Sequence, residues 1–139
     1  MRTIVVGDMH QKQHLILPIA DSAVRLLGAR RVVLLGDYCD DYSPNRDETD
    51  AEKLLRGLEY QVDWVDRART RGLRIDVLLG NHDVQYLIER QGPGTNLNCI
   101  VPVRRMLAQM NVRMAAAVDG WLATHAGPVS YTHLTLPTI

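Results

Sequence analysis

Four short apolar segments occur along the chain, and each of them ends in polar residues. Runs of aliphatic and β-branched residues predict buried strands over Thr3–Val6, Arg31–Leu35 and Leu73–Leu79. A fourth strand is predicted over Trp121–Thr124. The segments between the first three strands have helical periodicity, so the order of elements predicts parallel pairing with right-handed crossovers.

Apolar positions with helical spacing predict a helix over Leu17–Leu27, with Pro18 in its first turn and Gly28 at its end. A longer helix is predicted to begin at a cluster of acidic residues, which the helix dipole favours, and to end at Gly72. The acidic cluster consists of Asp47, Glu48 and Asp50, and the buried stripe of this helix consists of Leu54, Leu58, Val62 and Val65.

The last third of the chain predicts two further helices and a hairpin. A short helix over Val84–Arg90 precedes the breaker Gly92-Pro93-Gly94, and apolar positions from Ile100 to Met110 indicate another helix. Asp119-Gly120 separates two apolar segments and is a strong hairpin signal. We therefore expect an α/β fold in which a parallel sheet is followed by antiparallel strands.

Composition narrows the class of protein. The chain has 139 residues, enough for one domain. Lys and Arg together number 16, as do Asp and Glu, and this balance does not indicate a general nucleic-acid-binding surface. Cys39 and Cys99 form no Cys-x-x-Cys pair. No apolar run approaches the roughly 18 residues of a membrane span, and Asp8 comes too early for a signal peptide. We expect a cytoplasmic protein without a membrane partner.

Candidate metal ligands follow the predicted strands. They are Asp8 and His10 after the first strand, Asp37 after the second, Asn81 after the third and His125 after the fourth. Sites in α/β sheets form at the carboxyl ends of strands, so these side chains are expected to lie close together. This mixture of carboxylate, imidazole and amide groups suits Mn²⁺, Fe²⁺ or Zn²⁺.

The same residue types permit a two-metal hydrolytic reaction. The two oxygens of Asp37 could bridge two ions, and ions roughly 3.5–4 Å apart lower the pKa of a water between them. His82 is adjacent to Asn81 and is better suited to donate a proton to a leaving oxygen than to bind metal. Asp40 could orient the His82 imidazole and raise its pKa.

Four motifs together carry a family resemblance. Gly7-Asp8-Met9-His10, Gly36-Asp37-Tyr38-Cys39-Asp40, Gly80-Asn81-His82-Asp83 and Thr124-His125-Ala126-Gly127 resemble, in order, the motifs of the calcineurin-like metallophosphoesterases. The resemblance implies a four-layer α/β/β/α sandwich and a hydrolase that acts on phosphate-ester substrates with two divalent metal ions, of which Mn²⁺ is the most expected.

The resemblance also implies a role for each candidate residue. Asp8 and His10 would bind the first ion, and Asp37 would bridge the two ions. Asn81 and His125 would bind the second ion. His82 would be the catalytic proton donor, with Asp40 as its partner. Substrates from mononucleotides and phosphodiesters to phosphoproteins and nucleic-acid ends fit these motifs.

One departure from the family pattern concerns substrate binding. The protein-phosphatase branch has an arginine directly after the second aspartate of the motifs, where this chain has Asp41. Asp41 is expected to repel an anionic substrate, which disfavours a phosphoprotein phosphatase. Arg46, Arg90 or Arg104 could supply a replacement cation.

A second departure concerns the end of the chain. The family has a further Gly-His-x-His-like motif that completes the metal shell, and only His133 imitates it here. Residues 129–139 resemble one reading frame of a sequencing adapter. We therefore expect residues 1–128 to be a C-terminally truncated metallophosphoesterase domain and residues 129–139 to be an artefactual tail.

Two other interpretations compete with the hydrolase. The aspartates that follow strands could be ordinary turn residues, a common use of Asp beside Gly. The chain could also be a non-catalytic scaffold that keeps the fold and binds partners. Such relatives usually lose the proton donor or a bridging ligand, so the presence of Asp37, Asn81 and His82 favours the hydrolase.

Overall fold

The computed structural model describes residues 1–41 and 48–126, which form a mixed α/β fold. In chain order the elements are β1 (Thr3–Val6), α1 (Gln13–Leu27), β2 (Arg31–Leu34), α2 (Ala51–Thr70), β3 (Arg74–Val77), α3 (Asn81–Ile88), a 3₁₀ helix (Leu97–Cys99), α4 (Ile100–Gln109), β4 (Ala115–Val118) and β5 (Trp121–Thr124). The order of helices and strands agrees with the prediction, and the differences lie at the boundaries.

Strands β1, β2 and β3 form a parallel sheet with β2 in the centre. The register places Val5 beside Val33 and Val33 beside Asp76. Strands β4 and β5 form a separate antiparallel hairpin. Leu78, directly after β3, makes a parallel bridge to Arg113, just before β4, and this bridge connects the two sheets. The predicted change from parallel to antiparallel strands is therefore confirmed.

The central strand β2 is buried on both faces of the sheet, and its successive side chains point to opposite sides. Val32 and Leu34 belong to the main core, which includes apolar residues of α1, α2 and α4. Val33 belongs to a smaller cluster with Leu78 and with Ala116 of the hairpin. The described residues thus form three layers, namely the helices, the parallel sheet and the hairpin.

Two helices begin earlier than the apolar pattern predicted. Helix α1 begins at Gln13, so Pro18 lies inside the helix and not in its first turn. Gln13 is buried, and its Nε2 donates to Tyr38 O at 3.2 Å, so a polar contact fixes this first turn. Helix α3 begins at Asn81 instead of Val84. The helix therefore carries the candidate site residues on its first turn.

Other local predictions are confirmed. The predicted stripe of α2 is buried, and the side chain of Asp50 accepts a hydrogen bond from Lys53 N–H at the start of this helix. Asp119 and Gly120 both have positive φ, as a type I′ hairpin turn requires. Gly28 ends α1 in the left-handed conformation.

Two regions of the chain fall outside the described residues. Asp47 and the Ser43-Pro44-Asn45 loop belong to the first, and the 129–139 segment with His133 belongs to the second. The artefactual origin of that segment stays a prediction. Within residues 1–41 and 48–126, no helix combines the length and apolar character needed to cross a membrane.

Candidate metal centre

A buried carboxylate, Asp83, joins the loops that follow β2 and β3. Its Oδ2 accepts hydrogen bonds from Asp37 N at 2.7 Å and Gly80 N at 2.8 Å. Its Oδ1 accepts from Tyr38 N at 3.0 Å and Cys39 N at 3.1 Å. Burial raises the pKa of Asp83 to about 6, and the backbone donors act against that rise. Asp83 therefore anchors the turn that presents Asp37.

Asp8, His10 and Asp37 converge at the carboxyl ends of β1 and β2. One ligand atom from each residue lies within 4.8 Å of the other two. His10 Nδ1 lies 2.9 Å from Asp40 O. Because a carbonyl only accepts, Nδ1 carries the proton in a neutral ring and Nε2 carries the lone pair. Nε2 lies 3.7 Å from Asp37 Oδ2 and 3.8 Å from Asp8 Oδ2, so this tautomer suits metal binding.

His125 repeats this arrangement beside Asn81. Its Nδ1 lies 3.0 Å from Leu35 O, and the carbonyl again places the proton on Nδ1 of a neutral ring. Its Nε2 lies 3.1 Å from Asn81 Oδ1 and 3.4 Å from Asp37 Oδ2. In this tautomer the Nε2 lone pair thus faces two oxygen atoms, Asn81 Oδ1 and Asp37 Oδ2. Donor atoms of an octahedral ion at about 2.1 Å are roughly 3 Å apart, so a divalent cation fits this donor set.

His82 and Asp40 form the dyad that the sequence indicated. His82 Nδ1 lies 3.0 Å from Asp40 Oδ2, and the Asp40 side chain is fully buried. The hydrogen bond that His82 donates to Asp40 is the largest cause of the raised pKa of His82. The His82 ring lies edge to face against His10, with ring centroids 5.3 Å apart. The dyad therefore adjoins the Asp8–His10–Asp37 group.

A family model described as calcineurin-like phosphoesterase matches residues 1–136 of this sequence. The chain belongs to the calcineurin-like phosphoesterase family. The suspected family is thereby confirmed, and membership indicates metal-dependent hydrolysis of phosphate esters. Neither the curated proteins nor the solved structures include a match to the chain.

Asp37 occupies the centre of this phosphoesterase site. Its Oδ1 accepts the backbone N–H of His82 at 3.0 Å. Its Oδ2 lies near both imidazoles, 3.7 Å from His10 Nε2 and 3.4 Å from His125 Nε2. The sequence suggested a bridge through both carboxylate oxygens, and this role of Asp37 stays a prediction.

Asp41, the residue expected to repel substrate, is neutralised by two lysines. Lys12 Nζ lies 3.5 Å from one of its oxygens and Lys53 Nζ lies 3.5 Å from the other. Burial opposes ionisation, but these two ammonium groups hold the pKa of Asp41 below its usual value. One carboxylate and two ammonium groups sum to one positive charge, whereas the expected repulsion considered Asp41 without these partners. Of the proposed replacement cations, Arg104 is bonded to α3 and Arg46 lies outside the described ranges.

Sequence reasoning missed a second layer of polar residues around Asp40. Tyr86 Oη donates to Asp40 Oδ1 at 2.5 Å, and Thr95 Oγ1 lies 3.5 Å from Asp40 Oδ2. Tyr86 follows His82 by four residues, a spacing that places two side chains on one helix face. That spacing was the available signal for Tyr86. No local pattern indicated Thr95.

Proposed function

We propose that this phosphoesterase hydrolyses phosphate esters with two divalent metal ions, Mn²⁺ being the expected metal and Fe²⁺ or Zn²⁺ the alternatives. One observation carries the proposal. His10 and His125 each direct Nδ1–H to a backbone carbonyl and present Nε2 to Asp37 Oδ2. An ordinary turn role for Asp37 would not account for two imidazoles that are fixed in the metal-binding tautomer around its carboxylate oxygen.

The donor set divides between two ions. Asp8 and His10 would hold the first ion, Asn81 and His125 the second, and Asp37 would contribute to both. The ions, when bound, would lower the pKa of water and neutralise charge on the phosphoryl group. The protein itself supplies the fixed tautomers and the Asp83 anchor that holds the Asp37 turn in place.

His82 is proposed as the general acid. Its Nδ1 is held by Asp40, so its Nε2 is the nitrogen that can give a proton to the leaving oxygen. The raised pKa of His82 favours the protonated ring that this role needs. Lys12 and Lys53 surround Asp41 with a net positive charge, which favours an anionic substrate.

The four-layer sandwich and the cytoplasmic location are further parts of this proposal. The hairpin β4–β5, which packs on Val33 and Leu78, would belong to the second sheet of that sandwich. Its described residues lie on the side of the parallel sheet opposite the helices.

The test is hydrolysis of p-nitrophenyl phosphate and bis-p-nitrophenyl phosphate by the full chain with added Mn²⁺. His82→Ala should lower kcat by about 10²–10⁴. His14→Ala removes an exposed histidine of α1 and should leave kcat unchanged. Activity that survives a chelator, or full activity of His82→Ala, would overturn the mechanism. A chain that binds no divalent ion would favour the non-catalytic scaffold.

A further inference from the structure

His82 and Tyr86 hold the two oxygens of one carboxylate from the same face of α3. His82 Nδ1 lies 3.0 Å from Asp40 Oδ2, and Tyr86 Oη lies 2.5 Å from Asp40 Oδ1. The two residues are four positions apart, so their side chains are neighbours on the helix. Asp40 and Tyr86 are both fully buried. The carboxylate is therefore fixed at both ends by one helix.

The direction of the Tyr86 hydroxyl bond is determined by its surroundings. Asn96 N–H donates to Tyr86 Oη at 3.0 Å. The Asn96 N–H occupies one lone pair of the Tyr86 hydroxyl oxygen. The single hydroxyl proton is therefore left to point to Asp40 Oδ1. Burial and then the bond to Asp40 raise the pKa of Tyr86, so the phenol stays protonated and remains a donor.

The loop before the 3₁₀ helix restricts Asp40 from the other side. Asp40 has a positive φ of 67°, which few non-glycine residues adopt. A Cβ added to Gly94 would lie 3.3 Å from Asp40 Cβ, and Thr95 Oγ1 lies 3.5 Å from Asp40 Oδ2. Of these three polar contacts to the Asp40 carboxylate, the one from Tyr86 is the shortest.

We propose that Tyr86 is a positioning residue, which fixes the Asp40 carboxylate and thereby orients the His82 imidazole for proton donation to the leaving oxygen. This inference rests on the proposed function. Without the hydroxyl, Asp40 would lose its closest donor and could rotate, and His82 would sample other orientations. Proton donation should then weaken while metal binding does not, because the hydroxyl of Tyr86 bonds to Asp40 and Asn96, neither of which is a candidate metal ligand.

The chain offers a matched control for the loss of a buried phenol. Tyr38 is also fully buried, and its hydroxyl oxygen lies 2.6 Å from Leu78 O and 3.0 Å from Leu34 O, so its one proton is satisfied by backbone carbonyls. Tyr38→Phe therefore removes the same group from the core without touching Asp40. A comparison of Tyr86→Phe with Tyr38→Phe separates positioning from general loss of packing.

The experiment measures kcat for aryl phosphates whose leaving phenols have increasing pKa. For poor leaving groups, which need a proton, we expect Tyr86→Phe to lower kcat about tenfold, a part of the 10²–10⁴ that general acids contribute. We expect little change for p-nitrophenyl phosphate, and an unchanged KM for the whole series. Tyr38→Phe should change all substrates by the same factor. A uniform effect of Tyr86→Phe would overturn the inference.

A second readout needs no turnover. ¹H–¹⁵N spectra of the metal-free protein, recorded at a pH high enough for the His82 ring to be neutral, should show His82 as the Nδ1–H tautomer in the wild type and in Tyr38→Phe. Tyr86→Phe should give a mixture of tautomers, and an unchanged His82 spectrum would contradict the inference. If Tyr86→Phe does not fold, Thr95→Val removes a weaker donor to Asp40 and should lower kcat selectively for poor leaving groups, by a smaller factor. An equal effect of Thr95→Val on all substrates would also contradict the inference.

His82→Ala distinguishes failure of the inference from failure of the proposed function. If His82→Ala leaves the dependence on the leaving group unchanged, the general-acid role fails and the Tyr86 inference fails with it. If His82→Ala steepens that dependence but Tyr86→Phe behaves as Tyr38→Phe, only the role of Tyr86 fails.

Discussion

Gly36 and Gly80 meet backbone to backbone at the carboxyl ends of β2 and β3. A Cβ added to Gly36 would lie 2.3 Å from Gly80 N, and one added to Gly80 would lie 2.1 Å from Asp37 Oδ1. Gly36 also has a φ of 113°, which L side chains rarely adopt. This contact brings the Asp37 turn against the first turn of α3, so it places the carboxylate beside Asn81.

Gly80→Ala is therefore expected to destabilise the fold. The added methyl group meets backbone atoms and cannot be accommodated by a side-chain rotation, so we expect a loss of about 3 kcal/mol or more in the free energy of unfolding. Gly7→Ala is the matched control, because Gly7 also follows a strand and precedes a site residue but has nothing within 4 Å of its added Cβ. Chemical denaturation of the metal-free protein measures both. Equal stability of the two variants would contradict the close approach.

Local patterns predicted most of the fold but only part of the site. Continuous apolar runs and the polar residues that follow them are local signals, and they predicted the parallel strands, Asp37 and the His82–Asp40 pair. The early start of α3 depends on the capping carboxylate of Asp83, which also binds backbone 44 to 46 residues away in sequence. The lysines that neutralise Asp41 converge from α2 and from the start of α1. Such long-range contacts leave no signal in a local pattern.

Asp83→Asn should destabilise the protein although the two side chains have nearly the same shape. The carboxylate accepts four backbone N–H bonds, whereas an amide has one acceptor oxygen and would turn an NH₂ group toward two of those donors. We expect the free energy of unfolding of Asp83→Asn to fall by about 3 kcal/mol. Asp63→Asn on the exposed face of α2 is the control and should stay within about 0.5 kcal/mol of the wild type. Thermal unfolding of both variants decides whether Asp83 is an anchor or a replaceable turn residue.

The two ions should depend differently on the histidines. His125→Ala removes a donor of the second group but leaves Asp8, His10 and Asp37 together. We therefore expect calorimetric titration with Mn²⁺ to show two bound ions in the wild type and one in His125→Ala. The remaining ion should keep its affinity within a few-fold, because its ligands are intact. Loss of all binding in His125→Ala would contradict the division of the donors.

Asp37→Asn should affect both ions at once. Its Oδ2 lies near His10 and His125, and an amide in its place removes a negative charge shared by the two proposed ion sites. We expect the affinity for Mn²⁺ to fall by at least about a hundredfold. Asp41→Asn removes a nearby carboxylate that pairs with lysines, and it should change the affinity by less than about threefold. Similar losses in the two variants would indicate a general effect of charge.

Arg104 stabilises the end of the helix that carries His82. Its Nε donates to Tyr86 O at 3.0 Å and its Nη2 to Leu87 O at 2.7 Å, while Nη1 lies 3.0 Å from Glu89 Oε1. Carbonyls at a helix C-terminus have no partner within the helix and form the negative end of its dipole. A guanidinium there donates hydrogen bonds to these carbonyls and places a positive charge at the negative end. We expect Arg104→Ala to lower the free energy of unfolding by about 1–2 kcal/mol.

Arg105→Ala is the control for that prediction. Arg105 is the adjacent arginine on α4 and is exposed, so its loss should change stability by less than about 0.5 kcal/mol. Amide hydrogen exchange should be faster in the last turn of α3 in Arg104→Ala than in Arg105→Ala. The same pair tests the alternative role of Arg104 as a phosphate-binding cation, since that role requires KM to rise several-fold in Arg104→Ala with no change in exchange along α3. The three contacts of Arg104 with the end of α3 favour the stabilising role, and so faster exchange in Arg104→Ala.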